Sequence, residues 1–231
     1  MNIAILIPTL NEEEGIGPTL DSVNVEAFKA AGHDVQFVIV DGNSKDATRA
    51  EAEARGATVI VDERRGYGRA YKTGMEQVDA DIIVTGDADG TYPFDECHEY
   101  VAHLLENDYE FLTCNRYADL GPGAMSAKHR LGNWVLSTTM RGLFWVKAKD
   151  SQSGMWIIRK EALAKLPIQD LPDGMAFSQE IKIEALKRKN IRAAEIPGRL
   201  RARLGDAVIE SWRDGFGNLV ALVKKRFTTK W

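Results

Sequence analysis

Four short apolar runs govern what this chain can become: Ile3 to Ile7, Val35 to Val40, Thr58 to Val61 and Asp81 to Thr85. Each is rich in β-branched residues, each ends in a polar cluster, and stretches of helical composition separate them. Runs that are apolar on consecutive residues are strands buried on both faces, and such strands joined by helices build a mostly parallel sheet with helices on either side. Helices are expected over Glu13 to Ala31, Ala47 to Arg55, Gly68 to Val78 and Phe94 to Glu106, with a further strand over Phe111 to Cys114. This is a Rossmann-like α/β layout, in which ligands bind beyond the carboxyl ends of the strands. The clusters PTLNEE, DGNSKD, DERRGYG and DADGTYP occupy those four ends and are read as one site.

A chain of 231 residues is read as one domain, 1–231, with an adequate core. Gly121-Pro122-Gly123 marks a change to a second half richer in Trp, Met and Leu. There Leu131, Trp134, Val135, Leu136, Met140, Leu143 and Phe144 have helical spacing, Gln179 to Lys189 reads as a charged amphipathic helix, Ala193 to Ile196 as a strand, and Val208 onward as an apolar-striped helix. A net charge of −4 gives no reason to expect a nucleic-acid partner. Cys97 and Cys114 form no disulfide framework or four-ligand metal spacing, which points to a reducing, cytoplasmic compartment. MNIAILIPTL lacks the basic and small-residue flanks of a signal peptide, and no uninterrupted apolar run is long enough to span a bilayer.

Asp87 and Asp89 in DADGTYP share one face at a strand end, where two carboxylates suit a hard divalent cation, Mg²⁺ or Mn²⁺, with phosphate oxygens completing its shell. The same pair in an ordinary acidic loop is a solvated turn. Ser44 or Asp46 can cap the following helix, while Asp41 and Ser44 can also accept from a ligand. Gly66 and Gly68 ahead of a helix, with Lys72 one turn inside, permit close approach to a phosphate without completing a Walker loop or GxGxxG. Glu180 belongs either to a solvated helix face or to a catalytic pocket.

In that order and at those intervals, PTLNEEE, VDGNSKDAT, GYGRAYKTG and DADGTYP resemble the family-2 inverting glycosyltransferases of the GT-A fold, nearest to the dolichyl-phosphate mannose or glucose synthase branch. The likeness continues through Asn115-Arg116-Tyr117, Asp150-Ser151-Gln152-Ser153-Gly154-Met155 and Phe177-Ser178-Gln179-Glu180. The resemblance implies a nucleotide-sugar-binding half over 1–120 and an acceptor half over 121–231. It implies that Pro8, Thr9, Asn11, Glu12 and Asp41 line the nucleotide pocket, that Gly66, Gly68 and Lys72 follow the ribose and diphosphate, and that Asp87 and Asp89 bind the metal. Gln179 and Glu180 would lie near sugar and acceptor, and Arg203 would face an acceptor phosphate. In-line displacement would invert the anomeric carbon; a hydroxyl acceptor would need a base, with Glu180 or Asp150 as candidates.

The branch commonly reads R-x-G-E-S-K-L late in the chain. Here Arg203-Leu204-Gly205-Asp206-Ala207-Val208-Ile209 keeps the arginine and glycine and lacks the serine and lysine. Residues 199–231 hold eight Lys or Arg against three acids, beside an apolar stripe that includes Trp212, Phe216, Val220, Val223, Phe227 and Trp231. Such a helix can lie peripherally in an anionic membrane interface, on the cytoplasmic face, or pack on the sheet or on a second subunit. The leading expectation is hexose transfer to a polyprenyl phosphate. The alternatives are a soluble transferase with a hydroxyl acceptor and a non-catalytic nucleotide-sugar-binding protein.

Overall fold

A computed structural model describes residues 1–205 and 211–229. Its centre is a seven-stranded sheet in the order β3-β2-β1-β4-β6-β5-β7, formed by β1 (Asn2–Thr9), β2 (Asp34–Asp41), β3 (Thr58–Val61), β4 (Ile82–Thr85), β5 (Phe111–Leu120), β6 (Trp156–Arg159) and β7 (Ala193–Leu200). All neighbouring pairs are parallel except those of β6, which runs antiparallel to both β4 and β5. The chain winds outward from β1 through β2 to β3 and then returns to the other side of β1 as β4. The crevice at that reversal lies between the carboxyl ends of β1 and β4, where a doubly wound sheet binds its ligand.

Alternation along β1 explains its unbroken apolar run. Ile3, Ile5 and Ile7 pack on one face with residues of α1 (Glu13–Asp21), α2 (Val25–Ala30), α3 (Thr48–Glu53) and α5 (Cys97–Glu106). Leu6 faces the opposite core with Tyr71 and Met75 of α4 (Tyr67–Gln77), Ala162 of α7 (Lys160–Lys165) and Phe177 and Ile181 of α8 (Ala176–Lys187). A third apolar cluster joins Leu136, Met140 and Phe144 of α6 (Ala127–Phe144) to Ile183 and to Leu222 of α9 (Ser211–Thr228).

Several expectations need correction. Glu13 to Ala31 is two helices, because Asn24 starts a second one by accepting the Ala27 amide at 3.0 Å. β5 and β7 run well past Cys114 and Ile196, pairing to Leu120 and Leu200 across a register irregularity between Asn115 and Asp119. β6 has no counterpart among the expected strands. The α8 helix is no solvated charged face: Phe177 through Ala185 are all buried, since α9 covers the side turned away from the sheet. Asp206, Ala207, Val208, Ile209, Lys230 and Trp231 lie outside the described residues.

Candidate active site

The β4 strand delivers Asp87 and Asp89 into the crevice, and the turn between them and Thr91 is held from below: Thr19 donates its hydroxyl to the Ala88 carbonyl at 3.0 Å and accepts the Gly90 amide at 3.0 Å. Gly90 has φ +73°, a left-handed conformation that favours glycine, and a side chain there would press on Leu204. Asp89 is buried. Its Oδ1 accepts the Thr91 amide at 3.1 Å and hydroxyl at 2.6 Å, and its Oδ2 accepts Arg203 Nη1 at 2.6 Å. The other arm of Arg203 reaches Glu12 Oε1 at 2.5 Å, so β1 and β4 ends meet on one guanidinium. Burial raises the Glu12 carboxyl, with Arg203 opposing the rise.

Asp87 has a different environment. It is half-buried, accepts the Tyr67 hydroxyl at 3.3 Å, and is pushed up to about 7 by desolvation and then by the charge of Asp89. Arg116 counteracts that rise. Two carboxylates one residue apart, one of them short of positive charge, fit a hard divalent cation that takes its remaining ligands from phosphate or water. Among the described residues no group of three His, Cys, Asp or Glu forms a closed metal site, so any cation here would depend on ligands from outside the protein.

Arg116 carries no motif signal of its own in the sequence, yet it is the second cation of the site. It forks onto Asp150, with Nε to Oδ2 at 2.7 Å and Nη2 to Oδ1 at 3.0 Å. Asp150 also accepts the amides of Arg116 at 3.2 Å and Gln152 at 3.0 Å. Burial alone would raise this carboxyl, but Arg116 outweighs it and holds it below the usual range. Asp150 is therefore not an available base; it fixes an arginine. Beneath it, the buried Lys182 donates to the carbonyls of Asp150 at 3.1 Å and Ser151 at 2.8 Å, and desolvation pulls its ammonium down to about 7.

The expected nucleotide end is assembled at the tips of β1 and β2. Pro8 lies in β1 opposite Val40, and Thr9 opposite Asp41. Asp41 is fully buried, and its carboxylate accepts Thr9 Oγ1 at 3.2 Å, Ser44 Oγ at 2.5 Å and the Ser44 amide at 2.9 Å. Ser44 Oγ in turn accepts the Asn11 amide at 2.9 Å, and Asn11 Oδ1 accepts the Lys45 amide at 2.9 Å. Asp41 and Ser44 thus form the floor of this end, with the Asp41 carboxylate engaged by Thr9 and Ser44.

Three more groups of expected site residues are engaged within the protein. Gly66, Gly68 and Lys72 do not open onto the crevice. They pack on residues 169–177: a Cβ at Gly66 would overlap the Asp173 carbonyl, and one at Gly68 the Pro172 carbonyl. Lys72 is buried and donates to the carbonyls of Gln169 and Leu171 and to Asp173 Oδ1 at 2.8 Å. Gln179 is fully buried, donating to the Asn218 carbonyl at 2.7 Å and accepting Gln152 Nε2 at 3.2 Å. Glu180 pairs with Lys225 at 3.1 Å, which also meets Glu184 at 2.7 Å. Gln179 and Glu180 join α8 to α9; the partner of Glu180 lies on a helix 45 positions later, and burial raises the Glu180 carboxyl with Lys225 opposing the rise.

A doubly wound sheet with paired carboxylates at its reversal has the fold of the GT-A glycosyltransferases. Among solved structures it is similar to glucosyl-3-phosphoglycerate synthase from Mycobacterium tuberculosis, seen in complex with Mn²⁺, uridine diphosphate and phosphoglyceric acid (TM-score 0.78, 19% identity, 99% of this chain and 80% of that one) and in complex with Mg²⁺ and uridine diphosphate (TM-score 0.77, 20% identity, 100% and 80%). A family model, glycosyl transferase family 2, matches residues 4–166, and the chain belongs to that family. It is 32% identical to the low-salt glycan biosynthesis hexosyltransferase Agl6 of Haloferax volcanii over 93% of this chain, and it spans only 51% of that protein's length. It is 28% identical to the dolichyl-phosphate hexose transferase of the same organism, over 96% of this chain and 93% of that protein.

Proposed function

We propose that the protein transfers a hexose from a nucleotide sugar of the GDP-mannose or UDP-glucose kind to a polyprenyl phosphate at a membrane surface. An acceptor phosphate oxygen attacks the anomeric carbon as the bond to the donor's diphosphate oxygen breaks, and the electron pair leaves with the nucleoside diphosphate. The configuration inverts. Asp87 and Asp89 would hold a Mg²⁺ or Mn²⁺, which would supply positive charge against the departing diphosphate. Pro8, Thr9, Asn11 and Glu12 line the nucleotide end over the Asp41–Ser44 floor. Arg116 and Arg203 supply the positive charge that a phosphate acceptor and a diphosphate both require.

The observation that carries the acceptor class is the state of the two base candidates. Asp150 is forked to Arg116 and Glu180 is paired with Lys225, so a hydroxyl acceptor would have to displace an ion pair to reach either candidate. An acceptor phosphate is already anionic and needs no base. The similarity to a dolichyl-phosphate hexose transferase over nearly the whole chain supports the same class.

The α6 and α9 helices support the membrane surface. They expose Leu131, Trp134, Phe216, Val220, Val223 and Phe227, and Trp145 just beyond α6 is 80% exposed. Residues 127–149 hold five Lys or Arg and residues 215–229 three, without one Asp or Glu in either segment of an otherwise acidic protein. Apolar side chains ringed by cations suit an anionic lipid surface. Among the described residues no helix is long and apolar enough to cross a membrane.

The test is transfer from a panel of UDP- and GDP-hexoses to a short polyprenyl phosphate with Mg²⁺ or Mn²⁺, run beside Asp89→Ala. A lipid-linked product lost in the variant is expected. Donor turnover that yields only soluble glycosides would overturn the acceptor class, and nucleotide binding without turnover would overturn the enzymatic reading.

A further inference from the structure

The position of Arg203 is set by main chain, not by a wandering surface side chain. Residues 201–205 lie across the turn that carries the carboxylates: the Arg201 amide donates to the Thr91 carbonyl at 2.9 Å and the Leu204 amide to the Asp89 carbonyl at 2.8 Å. Between those two anchors, Arg203 places one arm on Asp89 at 2.6 Å and the other on Glu12 at 2.5 Å. Thr91 already fills Asp89 Oδ1, so Oδ2 is the oxygen left for a cation, and a guanidinium occupies it.

A dication approaching Asp89 therefore meets a fixed positive charge at the oxygen it needs. Removing that charge requires a better partner for the guanidinium. A diphosphate is one: the planar fork of the guanidinium matches phosphate oxygens, and phosphate carries more charge than a carboxylate shared with Thr91. We propose that Arg203 is a built-in stand-in for the divalent cation, which keeps Asp89 and Glu12 neutralised in the free protein and makes metal binding conditional on the nucleotide diphosphate that draws the guanidinium away. The same exchange frees Arg203 to bond phosphate only once donor and metal are in place. This rests on the reading that Asp87 and Asp89 bind the metal.

The experiment is direct Mn²⁺ binding, read from the loss of the free-ion electron paramagnetic resonance signal, with and without uridine diphosphate or guanosine diphosphate. Arg203→Met keeps the apolar stem and the two main-chain anchors while removing the charge; Arg203→Lys keeps a charge, and thermal melts confirm that each variant is folded. Without nucleotide, Arg203→Met should bind Mn²⁺ about ten-fold more tightly than the unaltered protein, the scale of one charge-assisted hydrogen bond. Arg203→Lys should return most of the way, and nucleotide should tighten Mn²⁺ binding far more in the unaltered protein than in Arg203→Met. A structural role alone would weaken binding. Equal or weaker affinity in Arg203→Met, with binding still abolished by Asp89→Ala, overturns the stand-in and leaves the metal pair intact. Affinity that survives Asp89→Ala overturns the metal pair and the stand-in together.

Discussion

Arg116 and Asp150 meet through two near-parallel hydrogen bonds of 2.7 and 3.0 Å, and both carboxylate oxygens are committed to them and to backbone amides. A carboxylate in that position orients a cation and has no capacity left for proton transfer. Asp150→Asn should therefore destabilise the protein by about 3 kcal/mol, the cost of breaking a buried pair from one side. Transfer should fall through loss of Arg116 placement, with the shape of the kcat/KM pH profile unchanged. Urea denaturation and a pH–rate series check both parts; a profile that loses a titration limb at unchanged stability would restore Asp150 as a base.

Lys72 offers a contrast between a phosphate ligand and a structural cation. Three acceptors on residues 169–173 surround its ammonium, and α4 is held to that segment through it. Replacing Lys72 by Met leaves buried carbonyls unpaired and should cost about 2 to 4 kcal/mol. Its KM for the nucleotide sugar should stay within about two-fold. A large rise in KM at unaltered melting temperature would return Lys72 to the diphosphate.

Lys182 makes stability depend on pH. Its ammonium has an ordinary value of 10.5 and is pulled down to about 7 in the folded protein, chiefly by burial, with Asp150 opposing. Between those values the unfolded chain holds a proton that the folded one has released, so this residue's contribution to stability rises with pH across that window, by at most about 1.4 kcal/mol per unit, and is flat below it. The difference in unfolding free energy between the unaltered protein and Lys182→Met, measured at pH 7.5, 8.5 and 9.5, should grow steadily in favour of the unaltered protein. A constant difference would refute the shift.

Trp134 and Phe227 project from α6 and α9, at 58% and 82% exposure. Changing both to Ser should leave the melting temperature within about a degree, because neither fills the core. Binding to vesicles containing phosphatidylglycerol should weaken by about ten-fold or more, since each change removes roughly 1.5 to 3 kcal/mol of available apolar burial. Co-sedimentation at low and high salt measures this, and equal binding to zwitterionic and anionic vesicles would remove the basic residues from the account.

The first half of the fold was legible because its strands are apolar throughout and their polar ends are local: the DADGTYP turn, the Asn11–Glu12 end and the Asp41–Ser44 floor can each be placed from neighbours in sequence. What escaped the sequence depends on partners far along the chain. Lys72 looks like a phosphate ligand until Asp173, 101 positions away, is seen against it. Glu180, Lys182 and Glu184 read as a solvated stripe until Lys225 of α9 is seen against the two glutamates and the carbonyls of Asp150 and Ser151 against the lysine. β6 is four residues long, too short for its apolar run to stand out as a strand, and it pairs antiparallel with both β4 and β5. The signal that could have found Arg116 was its place two residues beyond Cys114, where the apolar run of β5 gives out.

Asn218 on α9 donates to Gln152 Oε1 at 2.8 Å, and the Gln152 amide donates to Asp150, the residue that grips Arg116. Lys225, two turns further along the same face of α9, is clamped by two buried carboxylates of α8. The outer helix and Arg116 therefore share one chain of hydrogen bonds, Asn218 to Gln152 to Asp150 to Arg116, so that a change in how α9 is seated reaches Arg116 through three side chains.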